Sequence, residues 1–247
     1  LGQGCGGLAM CWFAKLSGGP DDTDVLIGSL TSPDMGLVRK GDAIFLTSSS
    51  FGANADLTVM QGIAAEKLSC LNGILTLSNL PPFKLEQMGT FDVDGNPHYR
   101  YQSSLEIRFS VGTSSNPSDL AERHRKLNER LSELGGLARQ DGLVQQVLAI
   151  IGNGRQDWAN LYKAYEIVNA DKDIVKNRFA SKKEVSCFTH HANDPRATGK
   201  DARHAVPNSP DPPLQQMSIS EANALMQRIV GLWVDSKLTG SAAGSQP

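Results

Sequence analysis

The sequence predicts an α+β chain: an N-terminal mixed α/β unit with a β-hairpin, followed by an all-helical bundle. Three observations carry that expectation. Short apolar runs rich in β-branched and aromatic residues fill the first 111 positions. A structure-breaking stretch, Gly112-Thr113-Ser114-Ser115-Asn116-Pro117-Ser118, then interrupts the chain. Beyond it the apolar period lengthens from two residues to about 3.6. The expected organisation is an α+β domain over 1–111, a linker over 112–118, a helical domain over 119–238 and a disordered tail over 239–247.

In the first domain the opening twenty residues are glycine-rich around the apolar patch Leu8–Ala14. Val25-Leu26-Ile27 and Ala43–Thr47 read as short buried strands, the second closed by the turn Ser48-Ser49-Ser50-Phe51-Gly52. Leu57, Met60, Ala64 and Leu68 fall at helical spacing and predict a helix over roughly 54–70. Asn72-Gly73 then reads as a turn into a strand over Ile74–Leu77. Phe83 to Val111 reads as a hairpin with arms Lys84–Val93 and Tyr99–Val111, turning at Asp94-Gly95-Asn96-Pro97. Leu105, Ile107 and Phe109 alternate with Glu106 and Arg108, the pattern of a strand with one wet face.

In the second domain Leu120, His124, Leu127, Leu131 and Leu134 mark one face of a first helix, and a second covers about 141–151. Trp158, Leu161, Tyr162, Tyr165 and Val168 mark a third, and Val175, Phe179 and Val185 a shorter fourth near 172–188. An irregular loop follows over 188–213. Ser218 and Glu221 form a capping box for a last helix, whose buried face reads Ile219, Ala222, Leu225, Met226, Ile229, Leu232 and Trp233. Four or five helices with short connections suggest a bundle.

Composition excludes several classes. The chain has 247 residues, is 40% hydrophobic and carries a formal charge of −2, so it does not coat nucleic acid as a whole. Its longest apolar run is far short of the roughly 20 residues of a membrane helix, so no membrane association is expected. No basic segment leads into a long apolar stretch, so no intact signal peptide is expected. The start at Leu1 rather than Met leaves an upstream segment open. Cys5, Cys11, Cys70 and Cys187 lack CxxC spacing and read as reduced thiols of a cytoplasmic protein, with two disulfides as the alternative.

The candidate chemistry lies in 176–204. Lys176, Arg178, Lys182, Lys183, Arg196, Lys200 and Arg203 oppose only Glu184, Asp194 and Asp201, an excess of +4. With His190 and His191 these cations form a basic, His-rich binding face suited to RNA phosphates, although no aromatic residue is interleaved as single-strand binding usually requires. Arg203-His204 also has the makings of acid–base chemistry, histidine moving a proton while an arginine holds a phosphate. The structural alternative has arginine on helix-end carbonyls and histidine anchoring the loop. Cys187, His190, His191 and His204, with Asp194 or Asp201, are zinc-capable side chains, but their spacing matches no strong zinc pattern, and neither metal nor cofactor is expected. In the first domain the Ser48–Gly52 turn before a helix has hydroxyls to offer a phosphate, though it matches no phosphate-loop motif and a plain strand-to-helix connection is the simpler reading. Asp92 and Asp94 lack the rest of an EF-hand and read as hairpin turn residues.

The runs Asp157–Glu166, Phe188–Asn193 and Ala202–His204, with the helix from Met217 to Trp233, resemble the C-terminal region of uncharacterised bacterial proteins. The helices with a late Arg/His loop also resemble the HEPN superfamily, over about 90 to 115 residues. That resemblance implies either a non-catalytic binding module or a metal-independent ribonuclease of abortive-infection or toxin type. Such ribonucleases carry an arginine, four to six intervening residues and a histidine where two protomers meet. Here Arg196 and His204 are separated by seven residues and Arg203 and His204 by none. The expectation is therefore a non-enzymatic protein that binds RNA or a protein partner. The alternative is a homodimeric ribonuclease using Arg203 or Arg196 with His204.

Overall fold

The computed structural model describes residues 11–20, 23–30, 34–52, 56–91, 97–102, 117–154, 157–206 and 216–243. It is an α+β protein of two compact units, Leu1–Gly136 and Leu137–Pro247. The helix Pro117–Gln140 spans the division between them.

The first unit is built on a five-stranded antiparallel sheet of order β2-β3-β1-β4-β5. Its strands are β1 (Cys11–Gly18), β2 (Gly36–Lys40), β3 (Ala43–Thr47), β4 (Phe83–Phe91) and β5 (Pro97–Gln102). The helices α1 (Thr23–Leu30), α2 (Leu57–Leu77) and the first part of α3 (Pro117–Gln140) accompany it. The apolar patch at the start of the sequence supplies the central strand, flanked by β3 and β4. Phe13 is fully buried and meets Phe45 edge-on at 5.0 Å and Tyr99 at 5.6 Å. Gly89, in register with both Phe13 and Tyr99, makes room for this: a Cβ there would lie 2.9 Å from the Phe13 ring and 2.0 Å from the His98 carbonyl oxygen.

Two expected strands are helical. Val25-Leu26-Ile27 lies in α1, where Thr23, Leu26 and Leu30 turn inward at spacings of three and four. Ile74–Leu77 is the last turn of α2. Asn72 makes no turn; its side chain is buried and serves Phe83 at the start of β4. Its amide nitrogen donates to the Phe83 carbonyl at 2.9 Å, and its oxygen accepts the Phe83 N–H at 2.8 Å. The stop comes later, at Ser78 and Asn79, the latter at φ +55°, with Leu80 N–H returning to the Leu75 carbonyl. β4 and β5 form the expected hairpin, with Pro97 of the expected turn opening β5, while Asp94-Gly95-Asn96 of that turn and Leu105, Ile107 and Phe109 lie outside the described residues. So do residues 112–116 of the expected linker; Pro117 and Ser118 open α3.

The second unit holds the end of α3, α4 (Gly142–Gly152), α5 (Trp158–Asp171), α6 (Lys182–Asn193), the short α7 (Pro195–Thr198), a 3-10 turn (Gly199–Asp201) and α8 (Ile219–Ala243). Asp141 caps α4, accepting from Leu143 and Val144 N–H, and Asp157 caps α5, accepting from Asn160 N–H. Ser218 and Glu221 make the expected capping box. On α8 the core face is Ala222, Leu225, Met226, Ile229, Val230, Trp233 and Val234; Leu232, expected inside, is exposed. Residues 239–243, expected in the tail, continue α8, and the Thr239 hydroxyl donates back to the Asp235 carbonyl at 3.0 Å. Lys237 ties three helices together. Its ammonium lies 2.8 Å from Asp141 and 2.9 Å from Asp171, and Asp171 also accepts the Trp233 indole N–H at 2.7 Å.

Candidate functional site

The expected helix over 172–188 is interrupted. Asp173 accepts from Val175 and Lys176 N–H, and the chain turns so that Ile174, Phe179 and Ala180 are buried. Arg178 closes the turn at φ +61°, a left-handed conformation that favours glycine. Helix α6 then starts at Ser181 with a capping box: the Ser181 hydroxyl accepts Glu184 N–H, and Glu184 accepts Ser181 N–H.

Lys182 and Lys183 occupy the first turn of α6, where the helix dipole disfavours cations. Both are exposed, as are Arg178 and Lys200, and none of the four has an ion pair among the described residues. Lys176 lies 3.4 Å from Asp173, and Glu184 is held by Arg228. The basic face therefore has two ends. Arg178, Lys182 and Lys183 stand before and at the start of α6, while Lys200, Arg196 and Arg203 follow its end, roughly 17 Å away by helix rise.

The expected irregular loop is structured as far as Asp201. His190 and His191 lie on α6 itself. His191 is buried: its Nδ1 lies 3.0 Å from the Cys187 carbonyl, its Nε2 lies 3.0 Å from the Met217 amide nitrogen, and its ring stacks on Trp158. Both bonds require a neutral ring with the proton on Nδ1. This histidine pins α6 to the chain entering α8 and presents nothing to a partner. His190 turns its Nε2 inward, 3.9 Å from Asp194 and too far for a hydrogen bond.

Asp194 ends α6 and caps α7. Its buried carboxylate takes Arg196 Nε at 3.0 Å, Nη2 at 2.6 Å and the Arg196 backbone N–H at 2.8 Å. The Arg196 side chain holds the Asp194 carboxyl down to about 2. Arg203 is engaged as well. Its Nη2 lies 3.0 Å from Glu166, its guanidinium carbon 4.6 Å from the Tyr162 ring centre, and its N–H donates to the Ala192 carbonyl at 2.8 Å. His204 is half-buried beside it. Both arginines proposed to hold a phosphate thus already hold carboxylates.

Sequence reading missed the aromatic partner. Tyr162 and Tyr165, expected on one face of α5, are both half-buried there, packed on Phe188 of α6. Folding brings Tyr162 beneath Arg203, so an aromatic does accompany the basic segment. The usable signal was Tyr162 and Glu166 four residues apart on one helix face.

A cavity of about 440 Å³ opens between α6, α7 and the start of α8, lined by His191, Arg196, Gln216, Met217, Ser218 and Glu221. Three of its polar side chains serve the contacts already described, with Arg196 on Asp194, His191 on Met217 and Glu221 on Ser218. Among the described residues no three His, Cys, Asp or Glu side chains gather as a metal site. Neither Cys187 nor Cys70 forms a disulfide among the described residues; the Cys187 sulfur lies 3.9 Å from His191 Nδ1, and Cys70 is buried, its thiol pushed up to about 11 by burial. In the first unit Asp34 accepts from the Ser49 and Ser50 hydroxyls and pairs with Lys67, so these two hydroxyls of the serine turn serve a carboxylate. No helix among the described residues is long and apolar enough to cross a membrane.

No protein-family model matches this chain, and neither a curated protein nor a solved structure matches it.

Proposed function

We propose that this is a cytoplasmic, non-enzymatic protein whose helical unit binds RNA through the face running from Arg178 to Arg203. The carrying observation is the cluster Arg178, Lys182 and Lys183, exposed and without ion pairs among the described residues. All three of its members stand where local physics opposes them. A non-glycine residue at positive φ costs of order 1 kcal/mol, and lysines in a first helical turn oppose the dipole by some tenths of a kcal/mol each. Cations held at such positions, together with the partial positive charge of the helix end, suit phosphate oxygens.

The test uses that arrangement. Arg178→Gly, Lys182→Ala and Lys183→Ala combined removes three charges and relieves both local penalties. The variant is expected to melt no lower than wild type, yet to bind RNA more weakly, with the slope of log affinity against log salt reduced by about 2 for single strands. Fluorescence anisotropy over a salt series reads both. Equal binding by the two proteins, or no binding by wild type at low salt, overturns the RNA reading and turns attention to an acidic protein partner.

The HEPN-like alternative places Arg203 or Arg196 on a scissile phosphate and His204 as acid or base in a homodimer. RNA cleavage in EDTA by wild type, lost in a folded His204→Ala variant, would establish that reading instead.

A further inference from the structure

We propose that Arg203, held over Tyr162, is a stacking platform for an unpaired nucleobase, so that the RNA partner is single-stranded. This rests on the RNA reading above and specifies its substrate.

Arg203 is fixed at both ends. Its backbone N–H is bonded to Ala192, its guanidinium lies over Tyr162 and its Nη2 contacts Glu166. The side chain nevertheless keeps 41% of its surface exposed. Glu166 offsets its charge, so what Arg203 offers a ligand is an oriented plane more than a net cation. Guanidinium planes stack on nucleobases as they do on aromatic rings. Holding the group in place beforehand removes the rotamer entropy that a free arginine loses on binding. Tyr165, half-buried and 5.5 Å from Tyr162, widens the aromatic base of the platform.

The charges around it suit a strand rather than a lone nucleotide. Lys200, three residues before Arg203, is exposed and unpaired among the described residues, within reach of an adjoining phosphate. The Arg178, Lys182 and Lys183 cluster lies roughly 17 Å along α6, a spacing that several linked phosphates can span. In a duplex both faces of each internal base are buried in the stack. Only an unpaired base presents a face to Arg203.

The experiment titrates the full chain with a short single-stranded RNA, the blunt duplex of the same sequence, and an abasic strand of the same length and charge. The single strand is expected to bind about tenfold tighter than the abasic strand, the worth of one stacked base, and tighter than the duplex. Arg203→Lys keeps a cation for Glu166 and discards the plane; it is expected to erase the preference for the based strand over the abasic one. Equal affinity of wild type for the based and abasic strands overturns the proposal, and so does a preference for the duplex. Because that comparison needs no mutation, a poorly folding Arg203→Lys does not blunt it. Absence of binding to all three RNAs is a different result: it removes the RNA reading itself.

Discussion

Replacing His191 separates architecture from chemistry at the centre of the basic segment. In His191→Ala two contributions vanish. The Met217 N–H loses its acceptor, at about 1–3 kcal/mol for a donor left unsatisfied, and the ring stacked on Trp158 is lost, worth about 1 kcal/mol beyond its area. The sum is about 2–4 kcal/mol, a large part of the 5–15 kcal/mol typical of a domain. At about 4 °C per kcal/mol for a unit of this size, the helical unit should melt about 8–16 °C lower. His191→Phe keeps a ring against Trp158 and loses only the hydrogen bonds, so its melting temperature should fall between wild type and His191→Ala. Thermal unfolding followed by far-UV circular dichroism measures all three. If His191→Ala melts within about 2 °C of wild type, the clamp is not what holds α6 to the entry of α8. RNA affinity below the melting range should be unchanged in His191→Phe; a large loss there would make His191 a ligand-contacting residue.

Two further outcomes follow from the same reasoning. Asn72→Leu leaves the buried N–H and carbonyl of Phe83 without their side-chain partners and should destabilise the first unit by about 2–4 kcal/mol in urea unfolding; a change under about 0.5 kcal/mol, ordinary for a surface site, would contradict the pairing. Asp194 titrates lower folded than unfolded, so it contributes stability above the ordinary carboxylate range that is lost as pH falls toward about 2. Melting across acid pH should show Asp194→Asn with a shallower acid decline than wild type, and lower stability at neutral pH; parallel curves would refute the link.

What the sequence made legible follows its periodicities. The helices α3, α4, α5 and α8 were visible because each buries a stripe at helical spacing, and the capping box at Ser218 was visible because its two residues are local. Errors arose where a pattern has two physical meanings. The buried run Leu71–Leu75 points inward all round the end of α2, so it mimics a strand. Val25-Leu26-Ile27 is too short for its period to show. Asn72 looked like a turn because its use, as hydrogen-bond partner of a distant strand, is tertiary. The candidate site was half legible. Its charges could be counted, but which of them were already committed could not. Asp194 takes Arg196 from two residues away, and Glu166, distant in sequence on α5, takes Arg203. Only the fold distinguishes those from Arg178, Lys182 and Lys183.

The Lys237 clasp has a consequence for how the chain is made. The residues it joins, Asp141 before α4 and Asp171 at the end of α5, leave the ribosome long before α8 does. At roughly 5–20 residues per second they wait several seconds for Trp233 and Lys237. Throughout that interval the apolar faces of α4 and α5 lack the helix that covers them. The nascent helical unit is thus most exposed to aggregation and to chaperones just before α8 arrives, and the closing of its α4 and α5 faces is timed by the emergence of α8.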